Sequence, residues 1–221
     1  MKKIAVRLVA LFAAVAAMTV VEAVWRPGYA LKSAIKWLLF GGVMVLPLWG
    51  GWKERMRWLA PRRDKALNAG LFLGAAACAA VVGGYFALRG AIDFSGVVTG
   101  LAGKEGITGQ NFLFVALYIC LANSFLEEAF FRGFGYLGLR DGMGEKGASA
   151  LSAAAFSLYH VFILDGWFSP PVFAAMTAAL FCAGLLFNRL DRGGAIYPAW
   201  CLHVGANVGI NLVGCILLGV F

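Results

Sequence analysis

Seven long apolar blocks fill most of this 221-residue chain, at roughly 7–25, 33–52, 66–88, 111–131, 148–167, 170–188 and 195–221. At about 1.5 Å of rise per helical residue, most of them can cross a hydrocarbon core about 30 Å thick. Lipid offers backbone N–H and C=O groups no water, so such blocks must satisfy themselves as helices. The expected fold is an all-α membrane protein, a polytopic bundle of about seven transmembrane helices. Only 14% of the residues are charged, against about 25% in soluble domains. No repeat, linker or low-complexity tract divides the chain. The seventh block exceeds one crossing, so it is tilted, extended or broken. Pro198 falls in its first turn, where a missing N–H does no harm.

The net charge of +8 does not point to nucleic acid, because the basic residues lie between apolar blocks, where headgroups and topology account for them. The longest basic cluster, KERMRWLAPRRDK at 53–65, reads as a cytoplasmic loop with Trp58 at the interface. With seven crossings, one face collects fourteen Lys and Arg residues: Lys2, Lys3, Arg7, six from the 53–65 cluster, Arg132, Arg140, Lys146, Arg189 and Arg192. The other collects five: Arg26, Lys32, Lys36, Arg89 and Lys104. This bias places the N-terminus in the cytoplasm and the C-terminus outside. The short loops and the MKK start suggest a bacterial inner membrane. The first block also has features of a signal peptide, with VEA as a cleavage site, but its apolar run is long for one. Cys78, Cys120, Cys182, Cys201 and Cys215 all lie inside apolar blocks without CxxC spacing and read as small core residues. The Gly-rich stretch at 89–110 is either a lid or a plain loop.

Few polar side chains lie deep in the blocks. The fourth holds Glu127, Glu128 and Arg132, in FLEEAFFR. The fifth holds His160, and the seventh His203 and Asn207. A charge at the centre of a membrane helix costs about 2.5–3.5 kcal/mol on insertion scales, so two adjacent carboxylates need a reason. Glu128 and Arg132 are i,i+4 and face the same way, so they can neutralise each other, the arginine otherwise standing in lipid-facing surroundings. Glu127 is turned by about 100° from Glu128 and points elsewhere. Phe156 shares a face with His160, as His203 does with Asn207. Counted along the helices, the polar groups fall in or near the cytoplasmic half of the bilayer.

E-E-x-x-x-R (Glu127, Glu128, Arg132), F-x-x-x-H (Phe156, His160) and H-x-x-x-N (His203, Asn207), in that order on separate helices, resemble the CPBP family. This is the group of CAAX-processing and bacteriocin-processing intramembrane proteases that includes the Rce1-type and Abi proteins. The resemblance covers about 111–215 and implies a catalytic core in the last four helices. That divides the chain into 1–110, carrying helices 1–3, and 111–221, carrying helices 4–7. It implies an intramembrane endopeptidase acting on a membrane-anchored protein or peptide. In it, Glu127 and His160 activate a water, His203 and Asn207 stabilise the oxyanion, and Glu128, Arg132 and Phe156 support them.

The expected chemistry needs no cofactor. The alternative is Zn²⁺ held by Glu127, His160 and His203, as in a metalloprotease, although HExxH is absent and Asn is a poor zinc ligand. Two other functions use the same residues: a non-catalytic immunity or regulatory factor of the same family, and an ion-coupled transporter, since intramembrane carboxylates and histidines also mark proton relays.

Overall fold

The computed structural model describes residues 2–49, 52–62 and 65–220, and all its regular structure is helical, with no strand among the described residues. Gly50 and Gly51 of the expected second block, Arg63 of the basic cluster and Phe221 at the end of the seventh block lie outside them. Seven long helices correspond to the seven blocks. They are α1 (Lys2–Trp25), α2 (29–45), α3 (Lys65–Leu88), α4 (Phe112–Met143), α5 (Glu145–Val161), α6 (Pro170–Leu190) and α7 (Tyr197–Leu217). By length and composition, α1, α3, α4, α6 and α7 can each cross a membrane. The other two, α2 and α5, have 17 residues each. That gives about 25 Å of rise, roughly a turn short of a full hydrocarbon core. Large apolar side chains such as Leu38, Phe72 and Phe114 stand outward, as in a protein whose outer solvent is lipid. It is an integral membrane protein.

The bundle is built around the second half of α4. Every residue from 126 to 137 is buried, the charged Glu127, Glu128 and Arg132 among them. Phe40 of α2 stacks on Phe130 with ring centroids 4.0 Å apart, and Phe131 meets Phe156 of α5 edge to face. Leu11, Val15 and Met18 of α1 and Ala199 and Leu202 of α7 join the same core. The sequence reading ended this block at 131, the residue before Arg132. The helix runs on to Met143 because the guanidinium is neutralised inside the protein instead of facing lipid. Two stretches of α4, Ile119–Asn123 and Ala129–Leu137, are wound as π-helix and flank the α-helical turn Ser124–Glu128. Wide turns of this kind occur at functional sites. Gly144, at φ +83°, makes the break between α4 and α5.

Glycine fixes α7. A side chain at Gly70 or Gly74 of α3 would strike the backbone of Pro198 or Cys201, and one at Gly205 or Gly209 of α7 would strike Gly74 or Cys78. The two helices thus meet backbone to backbone through a G-x-x-x-G pair on each, a packing that replaces the missing hydrophobic drive between helices in lipid. At the start of α7, the Ala199 amide donates to Asp191 Oδ1 at 3.0 Å, which satisfies one N–H orphaned by the helix end. Pro198 lies in the first turn, as expected. The seventh block holds a 21-residue helix, with the surplus length outside it at both ends.

Gly205→Ala should therefore destabilise the protein by about 1–3 kcal/mol, the usual cost of overpacking. Gly83→Ala is the control, because nothing lies within 4 Å of its Cβ position; it should be neutral or stabilise by up to about 1 kcal/mol. Equal behaviour of the two in a detergent unfolding titration would refute the glycine contact.

Candidate active site

Glu127 and Glu128 lie side by side on the α-helical turn of α4, both essentially inaccessible. The 100° step between them sends their carboxylates to different partners. Glu128 Oε2 pairs with Arg132 Nε at 3.1 Å, and Glu128 Oε1 lies 2.7 Å from His203 Nδ1. Arg132 is completely buried, with its guanidinium carbon 4.3 Å and 4.6 Å from the ring centres of Phe156 and Phe187. The expected lipid-facing surroundings are corrected to an aromatic sandwich inside the bundle. A cation between two ring faces recovers part of its lost hydration.

Glu127 faces the other way. Its Oε1 accepts from Lys36 Nζ at 2.5 Å and from Asn123 Nδ2 at 3.0 Å. Its Oε2 looks toward two imidazoles, with His160 Nε2 and His203 Nε2 each 3.8 Å away. That distance is too long for a direct hydrogen bond. It is a distance that one water, bonded to both groups, can bridge.

The tautomers follow from the partners. His160 Nδ1 lies 2.8 Å from the Phe156 carbonyl, which can only accept, so Nδ1 carries the proton and a neutral ring turns its Nε2 lone pair to Glu127. His203 likewise donates from Nδ1 to Glu128, and can donate from Nε2 only as the doubly protonated ring. Phe156 sits one turn before His160, with ring centroids 4.5 Å apart, and meets His203 edge on at 6.0 Å. Asn207 Nδ2 donates to the Ile119 carbonyl at 3.2 Å, one turn beyond His203. The structure brings Glu127, Glu128, Arg132, Phe156, His160, His203 and Asn207 around one place.

A cavity of about 180 Å³ opens onto this place, lined by Glu127, His160, His203 and Asn207 and by Lys36 and Tyr159. The 89–110 stretch, left open between lid and loop, reaches over it. Within it are a short helix, Ser95–Thr99, and a π turn, Gly100–Lys104. Leu101, Glu105 and Ile107 line the cavity wall. Glu105 pairs with Lys32 of α2 at 2.7 Å, and Lys32 also holds Glu22 of α1 at 2.7 Å. Lys32 and Lys36 were counted with the residues facing the outer solution. Both are buried in ion pairs, and the count is corrected for them and for Arg132. Sequence reasoning missed Lys36 as a neighbour of Glu127. The available signal was the i,i+4 spacing of Lys32 and Lys36 at the start of an apolar block, which puts both on one face of α2.

The zinc alternative can be checked against the geometry. Among the described residues, no three His, Cys, Asp or Glu side chains are grouped so as to hold a metal ion. Lys36 holds Glu127 through Oε1, and Oε2 is the oxygen that faces the two imidazoles.

Residues 109–209 match the family model described as type II CAAX prenyl endopeptidase Rce1-like. The match takes in the whole of α4, α5 and α6, and α7 through Gly209, and so spans the three motifs. No curated protein and no solved structure matches the chain.

The buried Glu128–Arg132 pair makes a stability prediction. Arg132→Met leaves Glu128 buried without its cation and should cost about 3–5 kcal/mol. Arg57→Met breaks an ion pair with Asp141 whose side chains are 52% and 60% exposed, and should cost no more than about 1 kcal/mol. Unfolding curves of equal midpoint for the two variants would show that the Glu128–Arg132 pair contributes nothing.

Proposed function

With residues 109–209 a segment of the type II CAAX prenyl endopeptidase Rce1-like family, we propose that this protein is an intramembrane endopeptidase whose base is Glu127. It hydrolyses a peptide bond in a membrane-associated protein or peptide. The observation that carries this reading is the two-sided environment of Glu127: one oxygen held by cationic and amide donors, the other aimed between two imidazole nitrogens.

A water between Glu127 Oε2 and His160 Nε2 gives its proton to the carboxylate as its oxygen attacks the substrate carbonyl carbon. The carbonyl π electrons move to oxygen, where Asn207 Nδ2 and the doubly protonated form of His203 donate to the developing negative charge. Glu128 accepts from Nδ1–H at the other side of the His203 ring and holds it in place. The tetrahedral intermediate then collapses and the C–N bond breaks. Glu127 returns the proton to the leaving nitrogen, which yields a carboxylic acid and an amine. No metal takes part in this scheme.

In this reading the N-terminus faces the cytoplasm. With the buried Lys32, Lys36 and Arg132 set aside, thirteen basic residues remain on that side against three on the other. A reporter fused after Phe221 should read as external and one near Arg57 as cytoplasmic. Matching signals would remove the odd number of crossings.

Glu127→Gln should lower turnover by at least about 100-fold, the low end for loss of a general base, at normal expression. Mass spectrometry of membrane peptides from cells carrying wild type or Glu127→Gln tests the activity without a chosen substrate. A terminus present only with wild type names the substrate, and identical peptide sets would favour a binding or transport role. For the metal, dialysis against a strong chelator should leave activity unchanged. Asn207→Asp should lose more than the about 10²–10³-fold expected for one missing oxyanion donor, because a carboxylate repels the developing charge. Stoichiometric zinc, activity that falls on chelation and returns with zinc, and an active Asn207→Asp would together overturn the metal-free scheme and leave the protease.

A further inference from the structure

We propose that Lys36 of α2 is a positioning residue for the reaction: it holds Glu127 by Oε1 as a buried ion pair, so that Oε2 is the oxygen presented to the histidines. The inference rests on the protease reading and extends it to a helix outside the 109–209 segment.

Lys36 is 5% exposed and makes three contacts, all at the site. Its ammonium donates to Glu127 Oε1 and to Asn123 Oδ1, each at 2.5 Å. The same ammonium sits 4.8 Å from the ring centre of Tyr159. Asn123 closes the arrangement, because its amide accepts from Lys36 and donates to the same Glu127 oxygen at 3.0 Å. Oε1 therefore has two donors fixed in direction. A carboxylate gripped at one oxygen keeps its plane, and the lone pairs of the second oxygen stay aimed.

The grip also sets the local charge. Glu127 is faced by Lys36 from α2, His160 from α5 and His203 from α7, with the Glu128–Arg132 pair one residue on. Tyr29 and Tyr159 line the same cavity. Arg132 is engaged with Glu128, and His203 Nδ1 also faces Glu128. Lys36 is the cation in direct contact with Glu127, and without it a buried carboxylate takes up a proton instead of standing unpaired. A protonated Glu127 accepts no proton from water, so the pairing bears on turnover more than on substrate binding.

The test uses the full-length protein in detergent and two readouts. The first is cleavage of an internally quenched, farnesylated peptide ending in a CAAX-type tetrapeptide. Lys36→Met should lose at least about 100-fold in kcat, the scale of a lost general base, with KM changed by no more than about twofold. Lys36→Arg, which keeps the charge and the donors, should recover a measurable part of that loss. The second readout needs no substrate. Infrared difference spectra of Lys36→Met against wild type at neutral pH should show a protonated-carboxyl C=O band. The band should be absent in Lys36→Arg and in the double variant Lys36→Met/Glu127→Gln.

Wild-type kcat in Lys36→Met overturns the proposal, as does a spectrum without a Glu127-dependent band. If Lys36→Met does not fold, Asn123→Ala takes its place; it removes only the bridging amide and should lower kcat severalfold at constant KM, and an unchanged kcat again overturns the idea. A wild-type protein that leaves the peptide uncut counts against the protease reading, while the infrared comparison still decides whether Lys36 holds Glu127 ionised.

Discussion

Two adjacent carboxylates at the core of an apolar bundle are the constraint on which the remaining structure depends. Each needs its own cation, because one buried charge without a partner costs several kcal/mol even after relaxation. Helical geometry allows only one of them to be served from within α4, since Arg132 is i,i+4 from Glu128 and not from Glu127. The second cation has to arrive from another helix, and it does, as Lys36 of α2. This requirement ties the N-terminal helices to the C-terminal ones more tightly than apolar contact would. Apolar surfaces can slide past each other at little cost, whereas an ion pair at 2.5 Å fixes α2 against α4 at one register.

The arrangement of α7 follows a similar logic with different means. Its G-x-x-x-G stretch lies against α3, and His203 and Asn207, one turn apart and each two residues before one of those glycines, face the opposite way into the core. Backbone contact leaves α7 little freedom to rotate, which is what a ring that must keep one nitrogen on Glu128 and the other toward Glu127 requires. On its outer side α3 is nearly bare, with Gly70 and Gly74 its only buried residues among those described. It acts as a splint for the helix that carries the chemistry.

Much of this was legible in the sequence, and the limits have physical causes. Seven long helices appear at the seven apolar blocks, because unbroken apolar length is a strong signal and lipid permits few alternatives. The shared place of Glu127, His160 and His203 was legible too, since fixed helical spacing converts motif order into faces. The contact between His203 and Glu128 was not, because it is set by how α7 leans on α4, and spacing along one helix says nothing of that. Nor was the aromatic sandwich around Arg132, built from Phe156 of α5 and Phe187 of α6. Lys36 was misread for a related reason. A lysine near the end of an apolar block is usually a flank residue, and only its partner on another helix shows that it points inward.

The cavity raises a last question, that of how water reaches a site walled by phenylalanines. The proposed hydrolysis consumes one water per bond, and an apolar bundle would exclude it. About 180 Å³ is room for several waters, and the polar side chains in its lining are not spread evenly. Glu22, Lys32 and Glu105 form a buried triad at the wall made by α1, α2 and the segment after Thr99. Glu127 and Lys36 continue the polar lining one helical turn along α2. The two lysines, i and i+4 on that helix, thus make a continuous polar seam from the covering segment to the carboxylate. Each lysine holds its own carboxylates, so the seam can hydrate the site without a net charge at Glu127. The segment contributing Glu105 lies outside the matched 109–209 stretch, as does α2. In the proposed reaction the reacting groups lie on α4, α5 and α7, and their water supply and second cation come from the part of the chain that precedes α4.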